Sequence, residues 1–184
     1  TVYNAMRNSN IRPGDVVAIQ GIGGLGHLAV QYANKMGMRT VALSHSDDKK
    51  KLAKDLGAHH YINSKKDDAV KELQKLGGAK LIVATAPHAD AISAVIDGLG
   101  VDGQLICIGA TGDAMEVSPM QLLQQRKSVS GWPSGTAIDS EDTLNFSAMT
   151  NTKPMIETYK LDDVEKAFKR MMDNKARFRV VLVP

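Results

Sequence analysis

The chain has 184 residues, 43% of them hydrophobic and 23% charged, and a formal net charge of +3. This length allows one full hydrophobic core and excludes two large domains. The basic residues are scattered and aromatic residues make up only 4%, a composition that argues against a nucleic-acid-binding surface. No apolar stretch approaches the roughly 18 residues of a membrane span. The single cysteine, Cys107, excludes an intrachain disulfide and fits a reducing compartment, so we expect a cytoplasmic protein.

Apolar runs alternate with helical patterns along most of the chain. They predict strands at 16–20, 40–44, 59–62, 80–84, 103–109 and 127–131. Helical spacing of apolar residues predicts helices at 24–36, 47–56, 66–76 and 88–98, with a short one near 118–125. Continuous apolar strands that alternate with helices predict an α/β fold, in which a parallel sheet is covered on both faces. Six such strands favour the doubly wound order 3-2-1-4-5-6 with right-handed crossovers.

Two further segments flank this alternation. Residues 1–10 read as the end of a preceding helix. After about residue 133 the pattern predicts a C-terminal α+β extension, with a helix near 137–149, a strand near 156–160, a helix at 162–173 and a final strand at 177–183. Asp162 or Asp163 is expected to cap the second of these helices. We therefore expect a nucleotide-binding domain at 11–148 and a separate C-terminal segment at 149–184.

The first strand and the glycine-rich turn after it are the most informative part of the chain. Gly21, Gly23 and Gly26 fit the G-x-G-x-x-G spacing and precede an amphipathic helical pattern. In a Rossmann fold the first glycine permits the tight turn, the second lets the backbone approach the phosphates, and the third lets the helix pack closely on the strand. The helix N-terminus adds unpaired N–H groups and a positive dipole end. The expected cofactor-binding loop consists of Gly21, Gly23, Gly24, Leu25 and Gly26.

The end of the second strand indicates which dinucleotide binds. Proteins that bind NAD usually place an acidic residue there, about 20 residues after the glycine loop, whereas this chain has Ser44. A carboxylate would repel a 2′-phosphate, and a serine does not. His45 and Ser46 can donate further hydrogen bonds and Lys49 can supply positive charge, so the segment favours NADP.

A simpler interpretation of the same segment is a helix N-terminus. Ser46 would then be the N-cap, and Asp47 and Asp48 would be stabilised by the helix dipole. Either aspartate could instead reach a ribose hydroxyl, which keeps NAD open as an alternative. Thr85 and Ala86 follow the fourth strand, where ligands bind at the reversal of strand order, although a plain turn with Pro87 starting the next helix explains them too.

Several segments together resemble the zinc-dependent medium-chain alcohol dehydrogenases. The resemblance covers essentially the whole chain. It is carried by Gly-Ile-Gly-Gly-Leu-Gly-His-Leu-Ala-Val-Gln-Tyr-Ala at 21–33, Met36-Gly37, Asp55-Leu56-Gly57-Ala58, the run 105–109, and the tail from Tyr159 to Leu182.

This resemblance implies the coenzyme-binding part of an oxidoreductase. The parent enzyme would transfer hydride between NADP(H) and a small alcohol or aldehyde, with zinc as Lewis acid. In the family the zinc ligands lie in an N-terminal catalytic domain, and the last of them, a cysteine, typically comes shortly before a segment matching Thr1-Val2-Tyr3. We therefore expect residues 1–10 to link to that domain, no zinc ligand set and no catalytic residue in this chain, and no turnover by it alone. The resemblance also implies a homodimer formed through the edge of the sixth strand.

The resemblance also assigns roles to Ile108, Gly109 and Arg179. The backbone of Ile108 and Gly109 would lie along the nicotinamide carboxamide, and Arg179 would contact the pyrophosphate, with Arg177 as a competitor for that role. His27 could approach the phosphates or be a surface or capping group. Trp132 could border the nicotinamide or substrate site, or pack at a subunit or domain boundary.

Two functions outside this class remain open. One is a stand-alone nucleotide-binding module without catalysis. The other is a methyltransferase, which uses the same strand, glycine turn and helix. It is disfavoured because such enzymes usually end the second strand with an acid, and Ser44 is not one.

Overall fold

Six parallel strands form the central sheet of the computed structural model, which describes residues 1–184. The strands are β1 (Val16–Gln20), β2 (Arg39–Ser44), β3 (His60–Asn63), β4 (Ala79–Ala84), β5 (Leu99–Cys107) and β6 (Ser128–Gly131). They lie in the order β3-β2-β1-β4-β5-β6, with every neighbouring pair parallel. The α/β class and the doubly wound strand order predicted from the sequence are confirmed.

Helices pack around this sheet, and a second, two-stranded parallel sheet follows near the C-terminus. The helices are α1 (Val2–Arg7), α2 (Gly26–Lys35), α3 (Lys50–Asp55), α4 (Ala69–Lys75), α5 (Ala89–Ser93), α6 (Pro119–Leu123), α7 (Ala137–Thr150) and α8 (Val164–Met172). The second sheet pairs β7 (Ile156–Lys160) with β8 (Arg179–Val183). None of these helices combines the length and the hydropathy that crossing a bilayer requires.

Both faces of the central sheet are buried, as a parallel sheet requires. Successive side chains of β1 alternate between two hydrophobic clusters: Val17 and Ile19 belong to one of 19 buried residues, and Val16 and Ala18 to another of 14. This period of two explains why β1 reads as a continuous apolar run rather than as an alternating one. The central strand thereby fixes the position of the glycine turn that follows it.

The start of β5 differs from the prediction. The predicted helix 88–98 ends at Ser93, and a 3₁₀ turn at Ile96–Gly98 leads into β5 at Leu99, before the predicted start at 103. Small residues cause the change: a side chain on Gly100 or Gly103 would clash with backbone atoms of the segment 77–79. The chain therefore pairs with β4 earlier, through a register shift between Ala79 and Leu81.

Two predicted helix starts are also wrong in detail. α3 begins at Lys50, and the hydroxyl of Ser46 donates to Asp48 at 3.1 Å instead of capping the helix. α5 begins at Ala89 after His88, so Pro87 does not start it. Asp163 is the N-cap residue of α8, as predicted, although its carboxylate makes no capping hydrogen bond and pairs with Lys166 at 2.7 Å instead.

An aromatic cluster joins α1 and α7 to α2. The rings of Tyr3 of α1, Tyr32 of α2 and Phe146 of α7 pack edge-on or tilted, with centroid distances of 5.0 to 6.1 Å. The Tyr32 hydroxyl also shares a 2.8 Å hydrogen bond with Ser147. The helix that follows the glycine turn is therefore held by α1 and α7 as well as by the sheet.

Candidate functional site

The glycine turn between β1 and α2 is held by backbone contacts that only glycine permits. Gly21 has φ +88°, in the left-handed region. A Cβ on Gly26 would lie 1.8 Å from the carbonyl oxygen of Gly21, a separation that no side chain can occupy. The Thr85 hydroxyl donates to the carbonyl oxygens of Gln20 and Gly21 at 2.9 and 2.8 Å. These contacts bring the first turn of α2 directly against the end of β1.

The N-terminus of α2 presents unpaired backbone donors. The N–H groups of Gly23, Gly24, Leu25 and Gly26 donate no hydrogen bond within the chain. A Cβ on Gly23 would meet no atom within 4 Å, so the space above this glycine is open. Free N–H groups at the positive end of a helix dipole, next to open space, form an anion-binding site. The turn therefore fits a pyrophosphate.

Two adjoining cavities lie beside the turn, at the carboxyl ends of the strands. One has a volume of about 340 Å³ and runs along the glycine loop, and the other, of about 290 Å³, lies between the ends of β1, β2 and α5. They share the wall residues Gly21, Ser44, His45, Ala86 and His88. This position, where the strand order reverses, is the ligand-binding crevice of a doubly wound sheet.

The structure brings most, but not all, of the predicted β2-end residues to this crevice. Ser44 and His45 line both cavities, and Lys49 lines the larger one. The Lys49 ammonium donates to the Ile22 carbonyl at 2.8 Å, and burial, followed by the charge of Arg177, lowers the pKa of Lys49. Ser46 lines neither cavity.

The residues that follow β4 and β5 contact one another next to the crevice. Thr85 and Ala86 line the larger cavity. The N–H groups of Ile108 and Gly109 both donate to the Ala84 carbonyl, at 2.9 and 3.0 Å. A Cβ on Gly109 would lie 2.8 Å from the Thr85 carbonyl oxygen, so these two loops touch. Ile108 and Gly109 lie outside the cavity walls, and the Ile108 side chain packs against the core.

Arg179, the first residue of β8, closes the cavity from the C-terminal segment. Three atoms of its guanidinium group lie 3.0 to 3.2 Å from the position that a Cβ on Gly24 would take. Arg177 instead directs its guanidinium to the Asn174 and Ala176 carbonyls, at 3.4 and 3.2 Å. Of the two arginines considered from the sequence, only Arg179 lines the cavity. Asn174, which the sequence did not single out, lies beside it.

His27 is neither a surface residue nor a capping group. Its side chain is fully buried and stacks on the Phe178 ring at 4.8 Å. Nδ1 is 2.9 Å from the Gly23 carbonyl oxygen, and Nε2 accepts a hydrogen bond from the Met155 N–H at 3.0 Å. Burial, and to a lesser extent the charge of Arg179, lowers the pKa of His27. The ring is therefore neutral at neutral pH.

The remaining candidates take structural positions. Trp132 packs against the hydrophobic cluster that contains Val17 and Ile19. Its Nε1 is buried and has no hydrogen-bond partner. Cys107 is half-buried, and burial raises the pKa of its thiol. No group of three or more histidine, cysteine or acidic side chains comes together as a metal site, so these residues do not fit a zinc ion.

The fold and the crevice together define a doubly wound nucleotide-binding protein. A family model described as "Zinc-binding dehydrogenase" matches residues 24–149, and the chain belongs to this family. Alcohol dehydrogenase patD of Penicillium expansum is 50% identical over 182 residues, which is 99% of this chain but 53% of that protein. The chain thus spans about half the length of the curated relatives it matches.

Solved structures of related enzymes have the same fold. CAD from Helicobacter pylori, complexed with NADP(H), superposes with a TM-score of 0.83 at 26% identity, covering 99% of this chain and 51% of that chain. Acetophenone reductase from Geotrichum candidum, in complex with NAD, superposes with a TM-score of 0.85, covering 100% and 52%. At 24% identity the second likeness shows the fold alone.

Alanine substitutions distinguish the glycine that is needed for close packing, Gly26, from the glycine that borders open space, Gly23. Gly26→Ala places a Cβ against the Gly21 carbonyl, so we expect a loss of about 2 kcal/mol or more in the free energy of unfolding. Gly23→Ala meets no protein atom and has no positive φ, so stability should be unchanged or rise by up to about 1 kcal/mol. Urea denaturation measures both, and equal losses would contradict this account of the turn.

Acid should weaken the fold through His27. Because its pKa is lowered in the folded state, the unfolded chain binds the proton more readily, starting near its ordinary pKa of about 6.5. The neutral ring therefore makes its full contribution to the free energy of unfolding above that pH. This contribution is lost as the pH falls towards the pKa that His27 has in the folded state. The wild type should therefore lose its advantage in unfolding free energy over His27→Gln as the pH is lowered from about 7.5 to about 5.5. A gap that stays constant or widens would contradict the prediction.

Proposed function

We propose that the chain binds NADP(H) as the coenzyme-binding part of a zinc-type alcohol dehydrogenase. The observation that carries the proposal is the set of unpaired N–H groups from Gly23 to Gly26, with the Arg179 guanidinium beside them. Backbone donors, a helix dipole and an arginine fork all favour the same ligand group, a pyrophosphate. Family membership supports a dehydrogenase rather than a methyltransferase.

The preference for NADP rests on the charges at the end of β2. Ser44 leaves no carboxylate there to repel a 2′-phosphate, and His45 is exposed at the cavity edge. The two aspartates that could favour NAD already have partners: Asp47 pairs with Lys66 at 2.5 Å, and Asp48 accepts from Ser46. NAD remains the alternative, and the two coenzymes differ in the group that Ser44 would face.

The bound nicotinamide would supply the hydride acceptor or donor for a small alcohol or aldehyde. In this proposal the chain itself binds and orients. The loop residues and Arg179 hold the phosphates, Ser44, His45 and Lys49 face the adenosine ribose, and Thr85 and Ala86 border it. The Ile108 and Gly109 backbone, fixed on Ala84, would align the carboxamide end.

The C-terminal segment supports the presence of a further domain in the whole protein. An apolar groove of about 140 Å³ lies between α8 and β8, lined by Val164, Ala167, Phe168, Met171, Val180 and Leu182. Phe168 is 59% exposed and Met171 is 49% exposed, which is unusual for side chains of this size in a contiguous patch. We propose that residues 149–184 dock onto a catalytic domain, which would carry the zinc ligands and the substrate pocket.

The other proposed features follow from the family. Residues 1–10 would link this catalytic domain to a nucleotide domain at 11–148. β6 is an edge strand with an unpaired side, which favours homodimer formation between sheets.

The parent enzyme would act in the cytoplasm. A nucleotide-binding module without catalysis is the second candidate, favoured by the lack of any metal-ligand cluster in the chain.

Coenzyme preference can be tested by titrating the chain with NADPH and NADH. We expect tighter binding of NADPH, and Ser44→Asp should weaken NADPH by about tenfold or more because like charges repel. Arg179→Gln is the matched control. It would remove a contact to the pyrophosphate common to both coenzymes, so it should weaken both by about tenfold. Tighter binding of NADH by the wild type would refute the NADP assignment.

Catalysis by the isolated chain can be tested directly. The purified 184-residue protein, at saturating NADPH with a panel of small aldehydes, should show no oxidation of NADPH above the buffer rate, followed at 340 nm. The reason is that no cluster of side chains in it can hold a zinc ion. Clear turnover would overturn the proposal that the reaction centre lies in another domain.

A further inference from the structure

The buried His27 connects the glycine loop to the C-terminal segment. Its Nδ1 lies 2.9 Å from the Gly23 carbonyl oxygen, and its Nε2 lies 3.0 Å from the Met155 nitrogen. A backbone N–H can only donate, so Nε2 carries no proton and Nδ1–H must donate to Gly23. Both contacts therefore require the same neutral tautomer. One ring thus joins residues that lie 128 positions apart.

The hydrogen bonds continue from Met155 to Arg179. The Met155 carbonyl accepts from the N–H groups of both Phe178 and Arg179, each at 3.0 Å. The Phe178 ring stacks on His27 at 4.8 Å. His27 thus contacts both residues that determine where β8 begins. Because Arg179 is the first residue of β8, its Cα position depends on this arrangement.

Arg179 itself relies on that backbone position. Its guanidinium packs over Gly24, while the neighbouring Glu157 carboxylate pairs with Arg170 and the Arg177 N–H instead. None of the ion pairs in the structure involves the Arg179 side chain. A displacement of the start of β8 would therefore move the guanidinium away from the unpaired N–H groups of the loop.

We propose that His27 is a positioning residue that holds Arg179 over the glycine loop through Met155. The inference rests on the proposed function, because it assigns to His27 a share in coenzyme binding without contact to the coenzyme. Its neutral ring sets the spacing between the two halves of the phosphate site, one formed by backbone donors and the other by a side chain from the opposite end of the chain.

The test is a double-mutant cycle on NADPH affinity in the 184-residue chain. His27→Leu should weaken binding by about tenfold, and Arg179→Gln by a similar factor. If His27 acts through Arg179, His27→Leu should cost less than about twofold in the Arg179→Gln background. Fully multiplicative losses would overturn the proposal. His27→Gln, whose amide oxygen can accept from the Met155 N–H, should bind nearer to the wild type.

Gln31→Ala is the matched control, since Gln31 joins the same helix to the same segment through the Lys153 carbonyl at 3.0 Å and makes no hydrogen bond to Met155. It should leave NADPH affinity unchanged. Amide hydrogen exchange of the ligand-free protein provides the second measurement: protection at Met155 and Arg179 should fall in His27→Leu and persist in Gln31→Ala. Unchanged protection in His27→Leu would overturn the proposal, even if the wild type bound no dinucleotide, a result that would refute the proposed function separately.

Discussion

The close approach of α2 to the end of β1 is the constraint on which the rest of the site depends. The Gly21 carbonyl lies where a side chain of residue 26 would be, so the helix can start only at this distance if that residue is glycine. The Thr85 hydroxyl then satisfies the carbonyls at the strand end. This arrangement leaves the first N–H groups of the helix directed at open space. The anion-binding site is thus a product of backbone geometry, and side chains only complete its rim.

The fold could be predicted from the sequence because its signals are local and repeated. Continuous apolar runs mark strands that are buried on both faces, and the alternation of strands and helices determines a parallel sheet. The prediction failed where tertiary contact outweighs local pattern. Gly100 and Gly103 allow β5 to approach the 77–79 segment, a contact that no spacing rule contains. Ser46 was a plausible N-cap, but its hydroxyl binds Asp48 instead.

The site residues also divide into those that local sequence patterns predict and those that depend on tertiary contacts. The glycine loop, Ser44 and Thr85 follow directly from strand ends, and the structure brings them together at one crevice. Arg179 needed the family resemblance, because no local pattern relates a residue in a late strand to the first turn of α2. The interpretation of His27 as a surface or capping group is wrong for the same reason. Its burial arises from Met155 and Phe178, whose positions only the folded chain defines.

The walls of the crevice come from segments that are far apart in the sequence, so a bound ligand would hold these segments together. Residues before position 50 form most of one wall, whereas Asn174 and Arg179 come from the last turn and strand. An anion held between them would act as a non-covalent crosslink between the two ends of the polypeptide. It would favour the docked C-terminal segment over any arrangement in which that segment has come away. A ligand bound in the crevice would then be a structural component of the folded chain.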